Sequence, residues 1–262
     1  MNYSMISYIL GWIFNFEAAF MILPGITAII YREKNGLAFL ITMLICLTIG
    51  IPLTRRKRKS KVFHAKEGAV TVALSWLVLS IAGALPFIIS GSIPHPIDAI
   101  FETVSGFTTT GASILSDVEA LSHCMLIWRS FTHWIGGMGV LVFILCLLPL
   151  TGGYHMNLMK AESPGPSVGK LVPKIRYTAR ILYIIYFGMT VLQTVLLLFG
   201  GMTFLDALNT AMGTAGTGGF GIRNDSFTSF SPYIQWVVTI FMILFGVNFN
   251  AYYLIVLRQF KK

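Results

Sequence analysis

Asp98 to Ser113 reads DAIFETVSGFTTTGAS. The run is apolar enough to enter a membrane, too short to cross one, and ends in three threonines and a glycine. A helix from Asp98 to Phe107 would reach only about 15 Å at 1.5 Å per residue, half of a bilayer's hydrocarbon core. A second stretch, Asp206 to Gly221, reads DALNTAMGTAGTGGFG at an offset of 108 residues (Asp98 to Asp206). The offset aligns Asp98-Ala99-Ile100 with Asp206-Ala207-Leu208, and Thr109-Thr110-Gly111 with Thr217-Gly218-Gly219. The identical letters are few, so the repeat rests on matched architecture: a spanning helix, a short dipping helix with irregular backbone, and a second spanning helix. Irregular backbone is tolerated at membrane depth only where it lines a watery cavity or is buried in protein.

Outward from these stretches the chain is dominated by longer apolar runs. Hydrophobic residues make up 55% of the sequence and charged ones only 11%, too little charge to cover a soluble core of this size. Spanning helices are expected at Tyr8–Ile30, Leu37–Leu53, Ala69–Ser90, Met125–Leu150, Thr178–Phe199 and Tyr233–Leu257. The half-span segments Ile97–Ser113 and Phe204–Gly221 lie between them. Threading this order puts segments 54–68, 151–180 and 258–262 on one side, with 15 of the 19 Lys and Arg residues. By the positive-inside rule that side is cytoplasmic, as are both termini. The start, Met1 to Tyr8, has no Lys or Arg and no cleavage site after a short apolar core, so it does not read as a signal peptide.

The net charge of +9 is concentrated in Arg55, Arg56, Lys57, Arg58, Lys59, Lys61 and Lys66, a loop whose single phenyl ring, Phe63, makes no stacking platform for bases. It fits a cytoplasmic loop facing anionic lipid and argues against nucleic acid as a partner. Cys46, Cys124 and Cys146 are scattered and read as small packing residues. No phosphate-cradling loop, zinc motif or nucleophile–base pair supports an enzyme, and no cofactor is expected.

The residue types favour a monovalent cation. Asp98 and Asp206 lie where each short helix should start, where they can cap free N–H groups and suit the positive end of the helix dipole. The negative ends then point to mid-membrane. Beyond them, Thr108 to Ser113 and Gly216 to Gly221 offer hydroxyls and glycines that can turn carbonyls to one axis. Such oxygens replace the hydration shell of an alkali ion yet hold it weakly. Divalent ions prefer carboxylates, and neither run contains one. Asp98, Glu102, Asp117 and Glu119 lie between Ile97 and Cys124 without a Lys or Arg, and are expected to form an acidic outer mouth.

Three motifs carry a family resemblance: Phe101–Ser113 (FETVSGFTTTGAS), Trp128–Gly139 (WRSFTHWIGGMG), and Lys160–Pro166 (KAESPGP) followed by Pro173-Lys174-Ile175. In this order they resemble the Trk/Ktr/HKT superfamily of potassium transporters, most of all the membrane subunit of the bacterial Trk uptake system. The resemblance implies an all-α protein of the bacterial inner membrane, with a potassium-channel-like pore of four helix–re-entrant loop–helix repeats in one chain. It implies homodimers and a cytoplasmic nucleotide-binding regulatory partner. It assigns potassium coordination to Thr109, Thr110 and Gly111 in the first repeat and to Thr217, Gly218 and Gly219 in the second.

The resemblance reaches only the N-terminal half of that pattern. The expected division is 1–67, a two-helix extension with a basic loop; 68–150, the first repeat; 151–177, a cytoplasmic connector; and 178–262, the second repeat. Two segments cannot enclose an ion, so the other two repeats must come from further copies or a companion chain. The alternative is a truncated, non-conducting scaffold. Transport could be passive or coupled to another ion.

Outside the repeats, Glu17 lies within the first apolar run beside Asn15 and is expected to make a hydrogen bond between helices. Arg129 and His133 sit one turn apart and are expected at the outer interface. Gly136, Gly137 and Gly139 are expected to allow close helix packing.

Overall fold

The computed structural model describes residues 2–56, 65–139, 175–249 and 251–252. Among these the structure is helical, without a strand. Nine helices follow in order: α1 Tyr3–Phe20, α2 Ile22–Tyr31, α3 Gly36–Arg55, α4 Ala65–Ser90, α5 Pro96–Phe107, α6 His123–Met138, α7 Ile175–Phe199, α8 Phe204–Ala215 and α9 Pro232–Gly246. Among the described residues, four stretches are long and apolar enough to span a membrane: Tyr3–Tyr31, Gly36–Arg55, Lys66–Ser90 and Arg180–Phe199. They match the first, second, third and fifth expected spans.

The fourth expected span is described as α6 and the sixth as α9. Their remainders, 140–150 and much of 250–257, lie outside the described residues, as do residues 57–64 of the basic loop, the connector at 151–174, the Lys160–Pro166 motif and Cys146. Helices begin earlier than hydropathy indicates because polar residues extend them past the apolar run. The Asn2 side chain accepts the Met5 N–H, so α1 starts at Tyr3 rather than near Tyr8. The first span is also interrupted at Met21, since Pro24 has no N–H to offer the carbonyl of Phe20.

Small residues set how closely the helices pack. The α1–α3 crossing brings Gly11 and Gly50 together, and a Cβ on Gly50 would lie 2.8 Å from the Gly11 carbonyl oxygen. Trp128 of α6 is the largest fully buried side chain among the described residues; its indole N–H donates to the Gly83 carbonyl at 2.9 Å. Phe39 and Phe107 meet it edge-on, joining α3, α5 and α6. Large apolar side chains point outward along the spans, among them Ile29, Ile184, Phe199 and Trp236. That is the pattern of helices solvated by lipid tails rather than water.

Helices α5 and α8 are the short elements that the repeat anticipates. Both have 12 residues, and both boundaries are related by the 108-residue offset (Pro96 to Phe204, Phe107 to Ala215). Helix α6 packs against both of them, and so stands between the first repeat and the second.

Candidate ion site

Helix α5 opens with Pro96 at its first position, where the absent N–H costs nothing. Helix α8 is capped by Thr203, whose hydroxyl accepts the Asp206 N–H at 3.2 Å. Asp98 and Asp206 therefore lie inside the first turn, and the expected capping role falls to Thr203 in the second repeat. A carboxylate in the first turn still suits the helix dipole.

At the other end each helix runs into its Thr/Gly segment. The Thr109 N–H donates to Gly106 and the Thr110 N–H to Ser105, while Thr217 donates to Thr214. Thr109 has φ 56° and Thr217 φ 60°; Gly111 has φ 77° and Gly219 φ 69°. Left-handed backbone is an outlier for a β-branched residue and costs on the order of 1–3 kcal/mol. Its recurrence at one repeat position, two residues before a left-handed glycine, marks both segments as held in a specific shape.

The two segments lie side by side. A Cβ on Gly111 would overlap the Gly218 carbonyl oxygen, and one on Gly218 would lie 2.6 Å from the Thr109 carbonyl oxygen. Gly219 is different: nothing but Met242, at 4.0 Å, approaches its Cβ position. Glycine is required at 111 by both space and φ, and at 219 by φ alone.

Behind the segments runs a buried polar array. Glu102 of α5 accepts the Ser113 hydroxyl at 3.0 and 3.1 Å and the Ile114 N–H at 3.0 Å. It also accepts Arg129 Nε at 2.6 Å, and both partners are buried. Arg129 Nη1 donates to the Gly221 carbonyl at 2.6 Å, and its guanidinium sits 3.4 Å from the Phe220 ring centroid. One turn further along α6, His133 Nε2 accepts the Gly218 N–H at 3.2 Å, and its imidazole stacks on the same Phe220 ring. An acceptor at Nε2 places the imidazole proton on Nδ1.

This corrects two expectations. Glu102 is no solvated member of an acidic mouth, and Arg129 and His133 do not face an outer interface. Hydropathy assigns charges to water, but burial is tolerable here because the two charges neutralise each other and find further hydrogen bonds. A signal was present: Ala99, Glu102, Thr103 and Gly106 fall on one helical face, the buried one.

Asp117 and Glu119 do lie at the surface, where they join the loops of the two repeats. Asn224 donates its side-chain amide to Asp117 at 2.7 Å and its backbone N–H to Glu119 at 3.1 Å. The Asn224 bond, with backbone N–H groups of Ala120 and Glu119, holds the Asp117 carboxyl below its ordinary range. Glu33, unremarkable in the sequence, caps α6 by accepting the His123 and Cys124 N–H groups. Burial alone would raise its carboxyl; the bonds from Cys124 and His123 outweigh that and hold it low. Glu17 departs from expectation: it is fully buried, and among the described residues neither carboxyl oxygen has a hydrogen-bond partner.

Chemically, the paired segments contain backbone carbonyl and threonine hydroxyl oxygens and no carboxylate, while the Glu102 carboxylate is committed to Arg129. Among the described residues no group of His, Cys, Asp and Glu is arranged to hold a metal ion.

Residues 35–262 match the family model described as TrkH, cation transport protein. The chain is 39% identical over 257 residues to the Trk system potassium uptake protein TrkH of Escherichia coli K12, covering 97% of this chain and 53% of that protein. It is 33% identical over 254 residues to TrkG of the same organism, covering 95% of this chain and 52% of TrkG. A crystal structure of the potassium transporter TrkH from Vibrio parahaemolyticus superposes with a TM-score of 0.81 at 30% identity, covering 97% of this chain and 52% of that one. The chain spans about half the length of the relatives it matches.

Proposed function

The chain belongs to the TrkH family of cation transport proteins, and on that premise we propose that it forms part of a potassium-conducting pore. The supporting observation is the pair of left-handed Thr/Gly segments, each following a 12-residue helix at the same repeat position. Helices α5 and α8 dip into the membrane from outside as re-entrant segments, about 18 Å long at 1.5 Å per residue. Thr109, Thr110 and Gly111, with Thr217, Gly218 and Gly219, contribute the oxygens that replace water around potassium. Their uncharged oxygens suit a weakly held monovalent ion that must leave as readily as it enters.

Two such segments cover half of an ion's surroundings. The remaining two come from further chain, a second copy or a companion polypeptide, as the half-length match to the relatives supports. On this reading the division stands at 1–67, 68–150, 151–177 and 178–262, with both termini cytoplasmic in a bacterial inner membrane. The cytoplasmic side of the connector is the place for a nucleotide-binding regulatory subunit.

Growth on limiting potassium tests the reading. A potassium-uptake-deficient bacterium carrying the chain is expected to grow, and the Gly111→Val variant, present in the membrane in equal amount, is not. Equal rescue by both would remove the filter role. Membrane expression without any rescue would favour a non-conducting scaffold.

A further inference from the structure

Helix α6 closes the first repeat, yet two of its side chains hold the second repeat's segment. Arg129 binds the Gly221 carbonyl and covers one part of the Phe220 ring; His133 binds the Gly218 N–H and stacks on that ring. The same arginine is tied through Glu102 to Ser113 and Ile114, at the end of the first repeat's segment. A line of contacts thus runs from Ile114 through Glu102 and Arg129 to the Phe220 ring, and from that ring through His133 to Gly218. A Cβ at Gly216 or Gly218 would strike the His133 imidazole, so the fit is close as well as polar.

We propose that Arg129 and His133 are positioning residues through which the first repeat sets the backbone of the second repeat's ion-lining segment, and with it the preference between alkali ions. The proposal rests on the pore reading above. Three features argue for it beyond ordinary packing. The hydrogen bonds go to backbone atoms on either side of the left-handed Gly219, at Gly218 and Gly221, and so fix peptide orientation rather than side-chain contacts. The guanidinium divides its fork between Glu102 and Gly221, which a lysine's single ammonium cannot copy in the same plane. Finally, the device is not copied by the repeat: the positions 108 residues after Glu102, Arg129 and His133 are Thr210, Val237 and Phe241. The sequence singles out this junction.

Hydrogen–deuterium exchange on the purified, detergent-solubilised chain reads the positioning directly, whether or not the chain conducts. His133→Leu removes the acceptor; His133→Gln restores one near the same place; Arg129→Lys keeps the charge but loses the fork. We expect exchange in segment 217–222 to rise about tenfold in His133→Leu and Arg129→Lys, the scale of one lost buried hydrogen bond. Helices α6 and α8 should keep their protection, and His133→Gln should return toward the parent.

Where potassium uptake is measured alongside, the preference for potassium over sodium should fall in the same two variants and recover in His133→Gln. Unchanged exchange at 217–222, or a His133→Gln variant no better than His133→Leu with its helices intact, would overturn the proposal. So would raised exchange throughout α6 and α8, which marks a role in folding. A parent chain that takes up no potassium would count against the pore reading alone, since the exchange result still decides the positioning.

Discussion

The two Thr/Gly segments share a backbone and differ in what holds it. Thr109 and Thr217 have nearly the same φ, as do Gly111 and Gly219, and the preceding helices have the same length. The first segment is held by Glu102 from its own short helix. The second is held by Arg129 and His133, borrowed from the preceding repeat. In its own short helix Asn209 and Thr210 are buried, with side-chain polar atoms that have no hydrogen-bond partner among the described residues. Even the matching tryptophans diverge: Trp128 is fully buried and Trp236, 108 residues later, is 66% exposed. The repeat preserves the backbone shape of the two segments, while their supports differ by position.

That contrast can be broken most severely at its centre. Glu102→Ala leaves Arg129 buried without its partner and should cost about 3–5 kcal/mol, read as a lowered midpoint of thermal unfolding in detergent. Thr210→Val, at the equivalent position of the second repeat, should be close to neutral. Equal losses at the two positions would erase the distinction between the supports.

Next in size is the pair of left-handed glycines. Gly111→Ala meets both an unfavourable φ and the Gly218 carbonyl, and should cost about 2–5 kcal/mol in segment stability. Gly219→Ala meets only the φ, for about 1–2 kcal/mol. Local exchange of the two segments would measure both, and the ranking Gly111 over Gly219 is the checkable part.

Similar in size to the Gly219 effect is that of Glu17. Replacing its unpartnered buried carboxyl by Glu17→Leu should raise stability by about 1–2 kcal/mol, again by thermal unfolding. A loss of stability would mean that Glu17 has a bound partner.

The smallest effect lies at the start of α6. Glu33 caps it, whereas Ser231 makes no side-chain bond at the start of α9. Because the Glu33 carboxyl is held low in the folded chain, its contribution is present at neutral pH and is lost as pH falls through and below about 4. The carboxylate is partly buried, its side chain 15% exposed, and solvent still screens it in part, so the loss should be about 1 kcal/mol. Acid-dependent exchange of the first turn of α6, absent in Glu33→Gln and in α9, would check it.

Much of this is legible in the amino-acid letters themselves. The short length of 98–107, the Thr/Gly run and the 108-residue echo specify both helices and both segments within a few residues. The break at Met21 has its local cause in Pro24. The buried array has no such local signature. Glu102 and Arg129 are 27 residues apart and meet only because α6 folds back along α5. Hydropathy prices each charge separately, so it sends both to water, while burial here depends on their being paired. Glu33 reaches across 90 residues to its partner, a contact that no local pattern encodes. Local chemistry specifies the backbone that could face an ion; the side chains that steady it are brought there by tertiary packing.

The central claim is that these segments belong to a potassium-selective path. Radioactive rubidium uptake into proteoliposomes holding the purified chain, competed by potassium or sodium, tests it most directly. The account predicts uptake that potassium suppresses far more than sodium, and that Gly111→Ala abolishes. Rubidium uptake equally sensitive to both ions, or unchanged in Gly111→Ala, would contradict it.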